Sequence, residues 1–308
     1  MSGNSSATLE RATPLSAGPW WGLLGVLAFS FTMPFTRVAV GTLSPLFIGS
    51  GRAVVAAVLA AGALALTGQR RPTGVQWARL AVVAGGVVAG FPLLTSYALT
   101  TAPASHGAVV VALLPAATAV MAVVRGGERP RRSFWVIAAL GATAALAFAS
   151  AQGGEFGRLH WSDLLLFGAV LAAAIGYAEG GLLARELGSW QTVSWALVLS
   201  APLMTVLAVV SAVRQPPAGT AVEWAAFAYL SVVSMFLGFF AWYRGLAIGP
   251  MAQVSQVQLV QPVMTIAWAA WLLGESVTWP TLVGGVAVVA CAGAAVRLRR
   301  TPSTKDNR

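Results

Sequence analysis

Residues 97–130 read YALTTAPASHGAVVVALLPAATAVMAVVRGGERP, and residues 242–275 read WYRGLAIGPMAQVSQVQLVQPVMTIAWAAWLLGE. An offset of 147 residues lays the second on the first without a gap: Leu99 meets Leu246, Pro103 meets Pro250, Val110 meets Val257, Pro115 meets Pro262, Thr118 meets Thr265 and Ala122 meets Ala269. Gly127-Glu128 then falls on Gly274-Glu275. Matches of Ala or Val carry little weight in so apolar a chain. Two prolines and a Gly-Glu pair held in register do not come from composition, and they point to an internal duplication.

The surroundings of both stretches are those of a membrane protein. Of 308 residues, 57% are hydrophobic and 9% charged, with a mean hydropathy of +0.77, where a soluble domain carries about a quarter charged residues. A spanning helix takes about 20 mostly apolar residues. Breaks of Gly, Pro and Arg divide the chain into ten such segments, at 20–40, 45–66, 78–99, 104–124, 133–151, 162–183, 191–212, 224–247, 251–273 and 280–297. Hydrocarbon offers no partner to exposed backbone, and the segments lack the alternation of barrel strands, so they are expected to be helices. The expected fold is thus an all-α integral membrane protein of ten transmembrane helices. It is organised as a polar segment 1–19, a first half 20–151, a second half 162–297 and a basic tail 298–308. Residues 1–19 lack the basic, apolar and small-residue regions of a cleaved signal peptide.

Charge gives the orientation. With both termini cytoplasmic, 14 of the 19 basic residues collect on the inner side, Arg70, Arg71, Arg79, Arg125 and Arg185 among them, and outer loops keep Arg158 and Arg214. The net charge of +10 is therefore read as topology and not as a nucleic-acid surface. Five helices per half place the second half upside down relative to the first. Glu128 falls on the inner face and Glu275 on the outer. Two like halves in opposite orientation are the recurrent construction of secondary transporters, in which one central site faces each side in turn.

Rare residues exclude other chemistries. Two histidines, His106 and His160, and one cysteine, Cys291, make neither a zinc site nor a disulfide. The only lysine is Lys305, so no GxxxxGK[ST] phosphate loop exists. No cofactor is expected, and the spans hold no constellation for an intramembrane enzyme.

The two quoted stretches resemble the paired signatures of the drug/metabolite transporter superfamily, in its EamA-like group of ten-helix exporters, and the likeness covers nearly the whole chain. Arg52, early in the second span after Pro45, matches a position where such proteins often carry arginine. The resemblance implies a cavity framed by spans one to four and six to nine, with spans five and ten peripheral. His106, Tyr243, Arg244 and the run from Ile175 to Leu197 depart from the general pattern.

Ionisable side chains inside a bilayer cost at least about 2.5–3.5 kcal/mol, so each is a candidate for function. Arg37 is read as snorkelling to the outer headgroups. Arg52 is either a packed arginine on carbonyls or the ligand of an anionic or zwitterionic cargo. Glu179 and Arg244 stand at comparable depth near the cytoplasm, where a salt bridge between them would be a brace, a gate or a proton switch. Gln253, Gln256, Gln258 and Gln261 spread over a sector of roughly 200° at about 100° per residue, so some line a cavity and some bond neighbouring helices; Gln253 and Gln256 are chosen for the cavity. Tyr97, Tyr177, Tyr243 and Trp195 are candidates to line it, while Trp20, Trp21, Trp161, Trp190 and Trp279 suit the interfacial belt. His106 is interfacial, packed or proton-sensing. Pro115 and Pro262, matched between halves, are candidate hinges. Gly86–Gly90 and Gly176–Gly180 have the spacing of close helix contacts.

The expectation is a secondary exporter of a small metabolite, an amino acid or related compound, across the inner membrane. It works by alternating access coupled to protons through Glu179, as a monomer or homodimer with no nucleic-acid partner. Efflux of amphipathic drugs is the alternative, and an intramembrane enzyme, a channel or a receptor the remoter ones.

Overall fold

In the computed structural model the described residues are 17–128 and 160–276, with isolated positions between 132 and 143 and between 279 and 290. Expected spans 133–151 and 280–297 lie largely outside them. The described chain is helical. Seven helices are long and apolar enough to cross a membrane: α1 Ala17–Ala39, α2 Pro45–Leu66, α3 Gly74–Ala98, α4 Ala104–Gly126, α5 Trp161–Leu187, α6 Ser189–Arg214 and α7 Ala221–Ile248. An eighth, α8, runs from Met251 to Leu273 in three pieces, Met251–Val257, a 3₁₀ turn Gln258–Val260, and Gln261–Leu273.

Helix starts are set by local chemistry. Ser44 accepts the Phe47 N–H at 3.1 Å, and Pro45 follows at a position whose N–H would be unpaired anyway. Thr73 with Gln76, and Thr220 with Glu223, form capping boxes at α3 and α7. The first of these starts α3 four residues before the expected 78. Arg79, expected at the very start of its span, consequently stands more than a turn inside the helix.

The duplication is visible in the packing. The first part of α8 lies on the second part of α4, and the second part of α8 on the first part of α4, so the two matched helices cross antiparallel. Helix α1 packs along α7 just as α5 packs along α3, and adding 147 to α1 and α3 arrives at α5 and α7. Both contacts bring backbones together. A Cβ on Gly86 would stand 2.4 Å from the Ala172 carbonyl oxygen of α5, and one on Gly245 would stand 2.8 Å from the Gly18 carbonyl oxygen of α1.

The Gly-Glu pairs have a shared task. Gly127 and Gly274 both take φ +65°, ending α4 and α8 in the left-handed conformation that glycine adopts freely. Each following carboxylate reaches across to the other half. Glu128 accepts the Met251 and Ala252 N–H groups at 2.8 and 3.0 Å; Glu275 accepts those of Ala104 and Ser105 at 3.0 and 3.1 Å. Two helix N-termini with unspent N–H donors are thus capped reciprocally by matched glutamates.

Irregularities also repeat. Residues Ala84–Gly90 of α3 and Leu230–Leu237 of α7 are π-helical, and α4 breaks after Val111 as α8 does after Val257. These interruptions stand one turn before Pro115 and Pro262, whose missing N–H leaves a carbonyl one turn back without its helical partner.

Candidate functional site

The irregular segments surround a central cavity. Phe29 and Thr32 of α1, Arg52 of α2, Val87 and Phe91 of α3, Leu114 of α4, Ala173 and Tyr177 of α5, Ser234 and Phe239 of α7, and Gln258 and Gln261 of α8 line it. Its free space, about 20 Å³, holds a water molecule or two and no metabolite, so the walls are contracted on each other. Val87 and Ser234, in the two π-helical segments, are matched positions, as are Leu114 and Gln261 next to the two prolines.

Arg52 supplies the charge. It lies seven residues into α2, about 10 Å along the axis, and is 2% exposed. Among the described residues no carboxylate pairs with it, and its Nε and Nη1 have no hydrogen-bond partner. Tyr177 is near enough to interact with it electrostatically. Gln258, 1% exposed, donates to Gln261 at 3.2 Å, and Gln261 donates to the Phe29 carbonyl at 3.4 Å. That chain of amides leaves the Gln258 Oε1 without a donor. The hydroxyls of Thr32 and Ser234 meet at 2.8 Å across α1 and α7.

Each end of the cavity is shut differently. On the side expected to be cytoplasmic, Glu179 of α5, 1% exposed, accepts Arg79 of α3 on one oxygen and Arg125 of α4 on the other, the latter at 2.6 and 3.0 Å. Arg79 also reaches Glu186, which Gln76 holds at 3.2 Å. Three helices are joined through one buried carboxylate. At the opposite end the matched trio α7, α8 and α1 is closed without charge. Phe31 stacks on Trp268 at 4.6 Å and 14°, Phe35 meets Tyr229 at 4.8 Å, and Thr265 and Trp268 bond to Ser30. One end is an ion bracket and the other an aromatic plug.

Several expected residues stand elsewhere. Glu179 does not meet Arg244, which lies on the exposed face of α7; its partners are Arg79 and Arg125, because α3 starts early and α4 carries Arg125 in its last turn. Tyr97 is 44% exposed at the C-terminal end of α3, away from the cavity. Trp195 packs edge-on against Trp77 at 5.5 Å in a groove beside Gln76 and Glu186 of the ion bracket. Tyr243 is fully buried beside the cavity, not on it: its ring fills the space over Gly180 and its hydroxyl donates to the Gly176 carbonyl at 3.3 Å. Gln253 is half-buried, and Gln256 bonds Ser255 at 3.4 Å; neither lines the cavity. Arg37 does not snorkel but donates to the Leu99 and Thr100 carbonyls at 2.7 and 3.0 Å, satisfying the end of α3. His106 bonds Asp163 at 2.6 Å. Arg52 and Tyr177 are the two chosen residues that do line the cavity.

Gln258 and Gln261, and not Gln253 and Gln256, face the cavity. A uniform 100° step fails across the 3₁₀ turn, which tightens to about three residues per turn and rotates the following face. Thr32 and Ser234 gave no signal in the sequence, being ordinary small polar residues in apolar helices.

The profile of the EamA-like transporter family matches residues 16–150 and again 160–296. The chain belongs to the EamA-like transporter family. The uncharacterized transporter YdeK of Bacillus subtilis (strain 168) is 44% identical over 282 residues, covering 91% of this chain and 96% of its own. A solved crystal structure shares the fold with a TM-score of 0.72 over 92% of this chain and 97% of its own, at 18% identity. This member of the EamA-like family is a multi-pass membrane transporter, and its polar residues are read accordingly.

Proposed function

We propose that this transporter is a secondary active carrier that moves a small metabolite out of the cell across the inner membrane, both termini being cytoplasmic. The observation that carries the reading is the central cavity at the seam of two inverted halves, closed on matched helices by an ion bracket on one side and an aromatic plug on the other. Releasing α3 and α4 from α5 opens the site inward; releasing α7 and α8 from α1 opens it outward. Pro115 and Pro262 are the hinges, since both interrupted helices pass the cavity at these points.

Glu179 links the bracket to protons. When α3 and α4 withdraw, its carboxylate loses both guanidiniums while still within the protein. A buried carboxylate without counter-charge is costly, and uptake of a proton removes that cost. Each inward opening thereby takes up a proton from the cytoplasmic side, and re-forming the bracket returns it there, so acid on that side favours the inward-open state.

Alternating exposure is testable without knowing the cargo. In a Cys291→Ser background, Ser234→Cys places one thiol on the cavity wall. A membrane-impermeant thiol reagent is expected to label it from outside in right-side-out vesicles and from inside in inverted ones. Labelling from one face alone contradicts a carrier.

A further inference from the structure

The unsatisfied groups in the cavity have a definite polarity. Arg52 offers two buried N–H donors and one positive charge, Gln258 offers one buried acceptor, and the rest of the wall is aromatic or aliphatic apart from groups already bonded to one another. The described carboxylates that are hydrogen-bonded, Glu128, Asp163, Glu179, Glu186, Glu223 and Glu275, are all spent on helix N-termini or on side-chain donors, and none lines the cavity. A guanidinium buried without a counter-charge costs several kcal/mol, and its planar fork matches a carboxylate. One cation balances one negative charge. Gln258 Oε1 asks for a donor on the same molecule, and with no acid nearby an ammonium there would leave the cargo's positive charge uncompensated.

We infer that the cargo site, resting on the carrier reading above, is built for a small organic monoanion: a carboxylate on the Arg52 fork, a hydroxyl or amide N–H donating to Gln258, and an apolar body against Phe29, Phe91 and Phe239. Amines and cationic amphiphiles do not fit it. The carboxylate enters as the contracted walls part and replaces nothing that Arg52 already holds.

Four compounds with one phenyl body separate the contributions. 3-Phenyllactate has both carboxylate and hydroxyl, 3-phenylpropanoate lacks the donor, phenylalanine replaces hydroxyl by ammonium, and 2-phenylethylamine is a cation alone. In a thermal-shift titration of the purified full chain, phenyllactate binds tightest, phenylpropanoate and phenylalanine more weakly, and phenylethylamine gives no shift. Arg52→Gln weakens phenyllactate at least about tenfold, the scale of a charge-assisted hydrogen bond, while Gln258→Leu lowers phenyllactate to the level of phenylpropanoate. Should Arg52→Gln not fold, Arg52→Lys keeps the charge without the fork and is likewise expected to weaken phenyllactate about tenfold. Phenylethylamine binding as well as phenyllactate, phenylalanine binding equally or tighter, unchanged affinity in the Arg52 variant that folds, or no shift with any of the four overturns the assignment. Two-sided labelling of Ser234→Cys in the same preparations would then leave the carrier reading standing and only its cargo wrong; one-sided labelling would remove both.

Discussion

Glycine positions in this chain separate into those that hold helices together and those that merely weaken them. A Cβ at Gly86 would meet the Ala172 carbonyl, a backbone atom that cannot turn aside, whereas one at Gly62, a turn before the end of α2, meets nothing within 4 Å. Gly86→Ala is therefore expected to lower stability by about 1–3 kcal/mol through overpacking, and Gly62→Ala to raise it by about 0.5–1 kcal/mol. Thermal unfolding in detergent checks both, and a like response at the two sites would contradict the packing. At Glu179, Gln keeps the shape but withdraws the charge that two arginines share. Glu179→Gln is expected to cost about 2 kcal/mol, on the scale of a hydrogen bond to a charged group, and to abolish gradient-driven uptake into inverted vesicles. Full uptake in that variant would remove Glu179 from the mechanism.

Two elements, α4 and α8, carry the repeat's internal logic. Each is broken before a proline, ended by a left-handed glycine, and capped by the other half's glutamate. Because the two caps are matched in geometry, Glu128→Ala and Glu275→Ala are expected to cost similar amounts, about 1 kcal/mol each by the measure of helix capping, read as comparable drops in melting temperature. Pro115→Ala or Pro262→Ala restores a backbone donor and straightens the helix past the cavity. Slower transport without loss of melting temperature is the expected outcome for a hinge; lower stability at unchanged transport would make these prolines packing residues only. The register of the repeat was legible from these elements, since glycine, proline and glutamate at fixed spacing each do something the backbone requires. The π-helical segments of α3 and α7 were not, because their sequences, AGGVVAG and LSVVSMFL, contain nothing that forbids ordinary α-helix; the first packs mainly on α5 and the second mainly on α2, contacts that the order of residues does not reveal.

For the whole molecule, the inverted arrangement makes a prediction that no single residue does. Reporter tags after Ala151 and on the C-terminal tail should fall on opposite faces of the membrane, outer and inner. Both on one face would break the proposed five-plus-five topology and the carrier reading with it. The amino-acid sequence by itself determined that this chain spans a membrane, that its halves are copies, and that Arg52 is a charge within a span, since hydrophobic length, repeated backbone chemistry and the cost of a charge in lipid are all properties of the chain read in order. Tertiary structure alone decided the partners. Glu179 turned to Arg79 and Arg125 instead of Arg244, and Gln258 and Gln261 reached the cavity instead of Gln253 and Gln256. Which faces of distant helices meet depends on where each helix starts, breaks and changes its winding, and a shift of one turn or one 3₁₀ step redirects every side chain beyond it.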